Sequence, residues 1–108
     1  DHRHYNAEGQ CFNIGETFAG VGLAHGTALA EAVRDTLPDP AEHTMAQQAL
    51  RWVLDHDAIT TVIPGATRLA QAESNAAVSE MESLPEEIHT QLRELYDAQI
   101  ADKIQGVY

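Results

Sequence analysis

The sequence predicts a mainly α-helical chain, about four helices and one short strand, and three observations carry that reading. Apolar residues recur at helical spacing in four separate stretches. A single six-residue run, Ala58–Ile63, is short and rich in β-branched residues. Pro38, Pro40 and the pair Pro64-Gly65 fall between these stretches, where proline and glycine interrupt regular structure.

Taken in order, residues 1–26 are expected to form a loop. They show little periodicity and hold five of the seven glycines, Gly9, Gly15, Gly20, Gly22 and Gly26, with Tyr5, Phe12 and Phe18 scattered among them. Unstructured stretches this long are uncommon in compact domains and are usually functional or disordered, so this one is expected to pack onto something or cover a ligand. Residues 27–57 supply two helices. The first runs from about Thr27 to Thr36, with Ala28, Leu29, Ala32 and Val33 on one face, and Pro38 and Pro40 end it. The second follows Thr44, which with Gln47 fits a capping box. Its stripe of Met45, Ala49, Trp52 and Val53, with Leu50 and Leu54 beside it, predicts a largely buried helix.

Residues 58–63 read as a buried strand closed by Pro64-Gly65. Residues 64–108 hold a turn and the last two helices. Thr67 is the expected N-cap of a helix from about Arg68 to Val78, with Leu69, Ala72, Ala76 and Ala77 inward. Ser83-Leu84-Pro85-Glu86 offers a second capping box before a helix from about Pro85 to Lys103. That helix carries Ile88, Leu92, Leu95, Gln99 and Ile100 on one stripe, and Glu86 and Glu87 in the first turn complement its dipole. A lone strand leaves its backbone groups unpaired. Its neighbours are therefore expected from residues outside this chain or from another copy, and the chain, which does not begin with Met, reads as a piece of something longer.

Composition narrows the function. With 44% apolar and 21% charged residues the chain is an ordinary globular one. Its net charge of −11 argues against nucleic acid and against an anionic membrane surface. No apolar run approaches the ~18 residues of a membrane span, and Asp1-His2-Arg3-His4 is no signal peptide. A single cysteine, Cys11, can form no internal disulfide and fits a cytoplasmic location. Six histidines, His2, His4, His25, His43, His56 and His89, lack metal-ligand spacing, and no pair is four apart on a helix. Asp55-His56-Asp57 resembles an acid–base cluster but is expected to close a turn, and Trp52 is expected in the core.

Ile63-Pro64-Gly65-Ala66-Thr67-Arg68 is the most informative segment. A glycine permits close backbone approach, the free N–H groups of a helix start attract anions, Thr67 adds a hydroxyl, and the Arg68 guanidinium can grip phosphate through two bonds. On these residues alone, a phosphate site and an ordinary strand–helix turn both remain open.

Thr60 through Thr67, followed by Gln71 and Asn75-Ala76-Ala77, resembles the last strand and following helix of the aldo-keto reductases. Thr44–Gln47 with Ala49–Leu54 resembles that family's preceding helix, and Gly15–Val21 resembles a loop after its seventh strand. The resemblance spans nearly the whole chain in three ordered blocks. It implies the C-terminal part of an α/β (β/α)8 TIM barrel, whose usual length is ~250 residues. It further implies NADPH as cofactor, an aldehyde or ketone as substrate in the full-length parent, and reduction by hydride transfer with a Tyr as proton donor. By position, the resemblance carries cofactor binding onto Gly65, Thr67, Arg68, Gln71 and Asn75. Ser74 stands where the family often has an acidic residue. The catalytic Asp, Tyr, Lys and His of the family lie on earlier strands, and Tyr5, Tyr96 and Tyr108 match no part of their motif. The chain alone is therefore expected to hold no catalytic residues, to be inactive, to bind NADPH weakly, and to self-associate through the faces a barrel would cover. The alternative is an independent, acidic helical module that dimerises through its apolar stripes and has no ligand.

Overall fold

A computed structural model describes residues 21–38 and 41–104. The expectations for the Gly15–Val21 loop and for the rest of residues 1–20 lie, Val21 apart, outside the described residues. The chain is mainly helical: α1 Leu23–Thr36, α2 Met45–Leu54, α3 Leu69–Ala77 and α4 Glu86–Gln99, with short 3₁₀ turns at Val78–Glu80 and Ala101–Lys103. The described residues fall into two compact units, 21–36 with 90–104, and Leu37–His89.

In the first unit, α1 begins four residues earlier than its apolar stripe predicts. Gly22, at φ +77°, turns the chain into the helix, and its carbonyl accepts the Gly26 N–H at 2.9 Å. Gly26 is thus absorbed inside α1, and the Thr27 hydroxyl donates back to the Ala24 carbonyl. Leu29 is the buried residue of α1. The His25 ring meets the Gln99 carbonyl at 3.1 Å, and there α4 ends. Ile100 leaves helical geometry at φ −122°, so the predicted helix to Lys103 stops at Gln99 and continues as a single 3₁₀ turn.

The Leu37–His89 unit is built on α2. Its capping box forms as the sequence predicts. The Thr44 hydroxyl caps the Gln47 N–H, and Gln47 Oε1 accepts the Thr44 N–H at 3.0 Å. The other end of the Gln47 amide donates to the Ser74 carbonyl at 3.2 Å and ties α2 to α3. Burial on α2 departs from the expectation. Ala49 is exposed, the large apolar residues are half-buried, and the one fully buried residue is Gln48 at 2% exposure. Gln48 Nε2 donates to the carbonyls of Pro38 and His43, so it staples the incoming chain to the helix. Its Oε1 is buried and accepts nothing, which by general experience costs about 1–3 kcal/mol.

α3 also turns a different face inward. Leu69 is 75% exposed, Ala72, Ala76 and Ala77 are exposed, and Ser74 and Asn75 are the half-buried positions. Val78, at 1% exposure, is the best-buried apolar side chain described and sits just past the end of α3.

The predicted strand over 58–63 does not form: among the described residues there is none. Residues 61–66 run outside any helix or strand, and Ile63 is 96% exposed. A strand exists only by pairing its N–H and C=O groups with a neighbour, and no other segment of the described chain offers one. The β-branched composition makes the run fit for a sheet without supplying the sheet.

Burial sets a contrast in stability. Leu84→Ala, at a buried site, should lower unfolding free energy by about 2 kcal/mol, whereas Leu69→Ala should change it by less than about 0.5 kcal/mol. Urea denaturation followed by circular dichroism reads both, and equal effects would contradict this assignment of the core.

Candidate functional site

The segment from Gly65 to Asn75 forms one corner, and it draws all five predicted binding residues together. α3 starts one residue later than predicted, with Arg68 rather than Thr67 at the N-cap. The cause is Gln71. From the third position of the helix its side-chain carbonyl reaches back and accepts the Thr67 N–H at 2.8 Å, the Thr67 hydroxyl at 3.1 Å and the Arg68 N–H at 3.1 Å. Thr67 therefore gives up its cap role and becomes a donor twice over. One turn along α3, Asn75 Nδ2 donates to the Gly65 carbonyl at 3.3 Å. Two amides four residues apart thus hold the turn against the helix start.

Within the described residues nothing crowds Gly65. Its φ is not in the left-handed region, and a Cβ built there meets nothing within 4 Å. Nothing in this chain demands glycine at that point. Arg68 is exposed and makes no salt bridge among the described residues. Ser74 uses its carbonyl on Gln47.

The donor set has a clear chemical character. Two N–H groups and a hydroxyl converge on one oxygen at the positive end of a helix, with a free guanidinium in the same turn. Convergent backbone donors at a helix start are what an oxyanion requires, and here a neutral amide oxygen holds that position. Beside the corner, a groove of about 450 Å³ is lined by Thr60, Val62, Pro64, Ala72, Asn75 and Ser79.

A second cluster is centred on Asp55, which closes the end of α2 as the sequence predicts but gathers partners that the sequence does not point to. Its side chain is 5% exposed. One oxygen accepts Arg51 Nε at 2.8 Å, and the other accepts the Leu84 N–H at 3.0 Å and His89 Nε2 at 3.1 Å. Burial pushes the Asp55 carboxyl up. The hydrogen bonds from the Leu84 N–H, the Ser83 hydroxyl and His89, with the Arg51 charge, more than offset it and hold the carboxyl below its ordinary value. Trp52 stacks on His89 with ring centroids 6.4 Å apart, and meets His56 edge-on at 4.7 Å. His56 Nδ1 faces the Trp52 carbonyl at 2.8 Å and so carries the hydrogen. Asp55 closes α2 as its C-cap. Its partners at Leu84 and His89 lie 29 and 34 residues away, beyond the reach of any local pattern. Among the described residues, no group of three or more His, Cys, Asp or Glu side chains is placed to hold a metal ion. No helix of the described residues is long and apolar enough to cross a membrane.

Residues 5–97 match the model of the Aldo/keto reductase family. Comparison with curated proteins gives no match, and neither does comparison with solved structures.

Asp55 should leave a mark on acid stability. Its folded-state carboxyl binds protons less readily than in the unfolded chain, so the unfolded chain takes up the extra proton as pH falls. The stability it contributes is present above the ordinary carboxylate value of ~3.9 and is lost as pH drops through the folded-state value. Asp55→Asn should cost about 3 kcal/mol at neutral pH and should flatten the loss of stability below about pH 4. Urea midpoints across that range measure both, and superimposable acid profiles would contradict the role of the cluster.

Proposed function

Because the chain belongs to the aldo/keto reductase family, we propose that it is the C-terminal segment of an NADPH-dependent carbonyl reductase and supplies the grip on the adenosine phosphate. The observation that carries this reading is the convergence of three donors on Gln71 Oε1. Those donors suit an anionic oxygen better than a neutral one, since charge-assisted hydrogen bonds are the stronger kind.

When bound, the cofactor supplies the hydride that reduces an aldehyde or ketone. This chain's residues would hold and orient it. The Thr67 N–H and hydroxyl, the Arg68 N–H and the Arg68 guanidinium would hold the phosphate, and Gln71 would offer its NH2 in place of its carbonyl. Asn75 holds the Gly65 carbonyl. The proton donor belongs to earlier strands of the parent, so the chain by itself performs no reduction and binds NADPH weakly. The lone Cys11 fits a cytoplasmic home.

Ile63 and Leu69, 96% and 75% exposed, also favour self-association of the chain on its own. The extended run beside them has an open backbone edge, which favours pairing with a second copy. Light scattering should give a mass above that of a monomer, and a strict monomer at all concentrations would contradict this.

Gln71→Glu is the discriminating variant for the cofactor reading. Glutamate keeps an acceptor for Thr67 and Arg68 but sets a carboxylate against the phosphate. Fluorescence titration should show NADPH binding weakened about tenfold or more, with NADH binding little changed. Equal effects on the two nucleotides, or none, would count against the proposal.

A further inference from the structure

Gln47 holds two helices with one amide. Its Oε1 accepts the Thr44 N–H at 3.0 Å and the Thr44 hydroxyl at 3.1 Å, and so closes the start of α2. Its Nε2 crosses to α3 and donates to the Ser74 carbonyl at 3.2 Å. With two donors on the oxygen and an acceptor before the nitrogen, the amide has one satisfactory orientation.

The acceptor on α3 is a particular one. The last four carbonyls of an α-helix have no partner inside it, and Ser74 lies in the last turn of α3. The Val78 N–H turns to the Asn75 and Ala76 carbonyls instead, and the Ser79 hydroxyl donates to the Ala76 carbonyl at 2.6 Å. Gln47 supplies the donor that the end of α3 lacks at Ser74.

The next residue is Asn75, whose Nδ2 holds the Gly65 carbonyl at 3.3 Å. One turn earlier on the same face, Gln71 holds Thr67 and Arg68. Both side chains reach the turn only while α3 keeps its rotation about its own axis. Apolar burial contributes little to that rotation, since α3 has no buried residue and Leu69 is 75% exposed. The 3₁₀ turn Val78–Glu80 meets α2 and fixes where α3 ends. The Gln47 bond fixes which way α3 faces.

We propose that Gln47 is a positioning residue for the Gly65–Asn75 corner. By tying the start of α2 to the Ser74 carbonyl it sets the rotation of α3, and with it the reach of Gln71 and Asn75 to the turn. That the corner takes a phosphate rests on the cofactor reading; the hold of Gln47 on its geometry does not.

Gln47→Glu separates the two ends of the amide. Glutamate is a standard partner in a capping box, so Thr44 keeps its acceptor, while the Ser74 carbonyl loses its donor and meets a carboxylate. Two-dimensional amide NMR of the ligand-free 108-residue chain should show the Asn75 side-chain NH2 and the Thr67 and Arg68 N–H signals displaced in the variant. The amides of residues 49–54 should stay in place, with an unchanged circular dichroism spectrum. Affinity for adenosine 2′-monophosphate should fall about fivefold, the effect of losing one hydrogen bond. Should Gln47→Glu fail to fold, Gln47→Met, which keeps the length of the side chain and removes both ends, takes its place with the same readouts. A lowered urea midpoint with the corner signals unmoved would overturn the proposal, because it marks a role in stability alone. Unmoved signals at an unchanged midpoint, or unchanged affinity in a variant whose signals have moved, would overturn it too. Failure of the unaltered chain to bind the nucleotide would contradict the cofactor reading alone, and the ligand-free signals would still decide the role of Gln47.

Discussion

The Leu37–His89 unit depends on one buried carboxylate. Asp55 ends α2, and its two oxygens collect Arg51 from the same helix, the backbone of Leu84 and the ring of His89. A buried charge is costly unless its lone pairs find donors, and here the donors come from both sides of residues 56–83. The carboxylate thereby closes residues 56–83 into a loop. That loop contains the 61–66 run, the turn and α3, so the candidate binding corner is held at both of its ends by the Asp55 cluster and by the Gln47 link to Ser74.

Within that closed loop, the corner is ordered by polar contacts more than by packing. α3 has no fully buried residue, and its leading apolar side chain, Leu69, faces water. What fixes its start is Gln71 folded back over Thr67 and Arg68, and Asn75 over Gly65.

The parts of the fold that were legible in the sequence are those written locally. Thr44 and Gln47 are three residues apart, and their box forms as predicted. The four helices follow their apolar spacing, and family resemblance was readable from the blocks at Thr44–Leu54 and Thr60–Asn75. Three features were not legible, for distinct reasons. The Ala58–Ile63 run has strand composition, but pairing is a property of two segments and only one is described. The start of α3 moved because a side chain four residues ahead competes for the Thr67 donors, so the best capping residue by type was not the cap. The inward faces of α2 and α3 were misassigned at Ala49, Leu69, Ala72, Ala76 and Ala77, since periodicity names an apolar face but not whether a neighbour covers it. Resemblance pointed to five residues that the structure gathers in one corner, whereas Asp55 meets Leu84 and His89, and Gln48 meets Pro38, across separations that no local spacing rule connects.

Amide NMR of the chain titrated with adenosine 2′-monophosphate tests the phosphate corner most directly. Saturable downfield shifts of the Thr67 and Arg68 N–H signals are expected, with the Gln71 side-chain NH2 moving alongside them. Unmoved Thr67 and Arg68 signals at saturating nucleotide, or shifts confined to residues away from this corner, would contradict it.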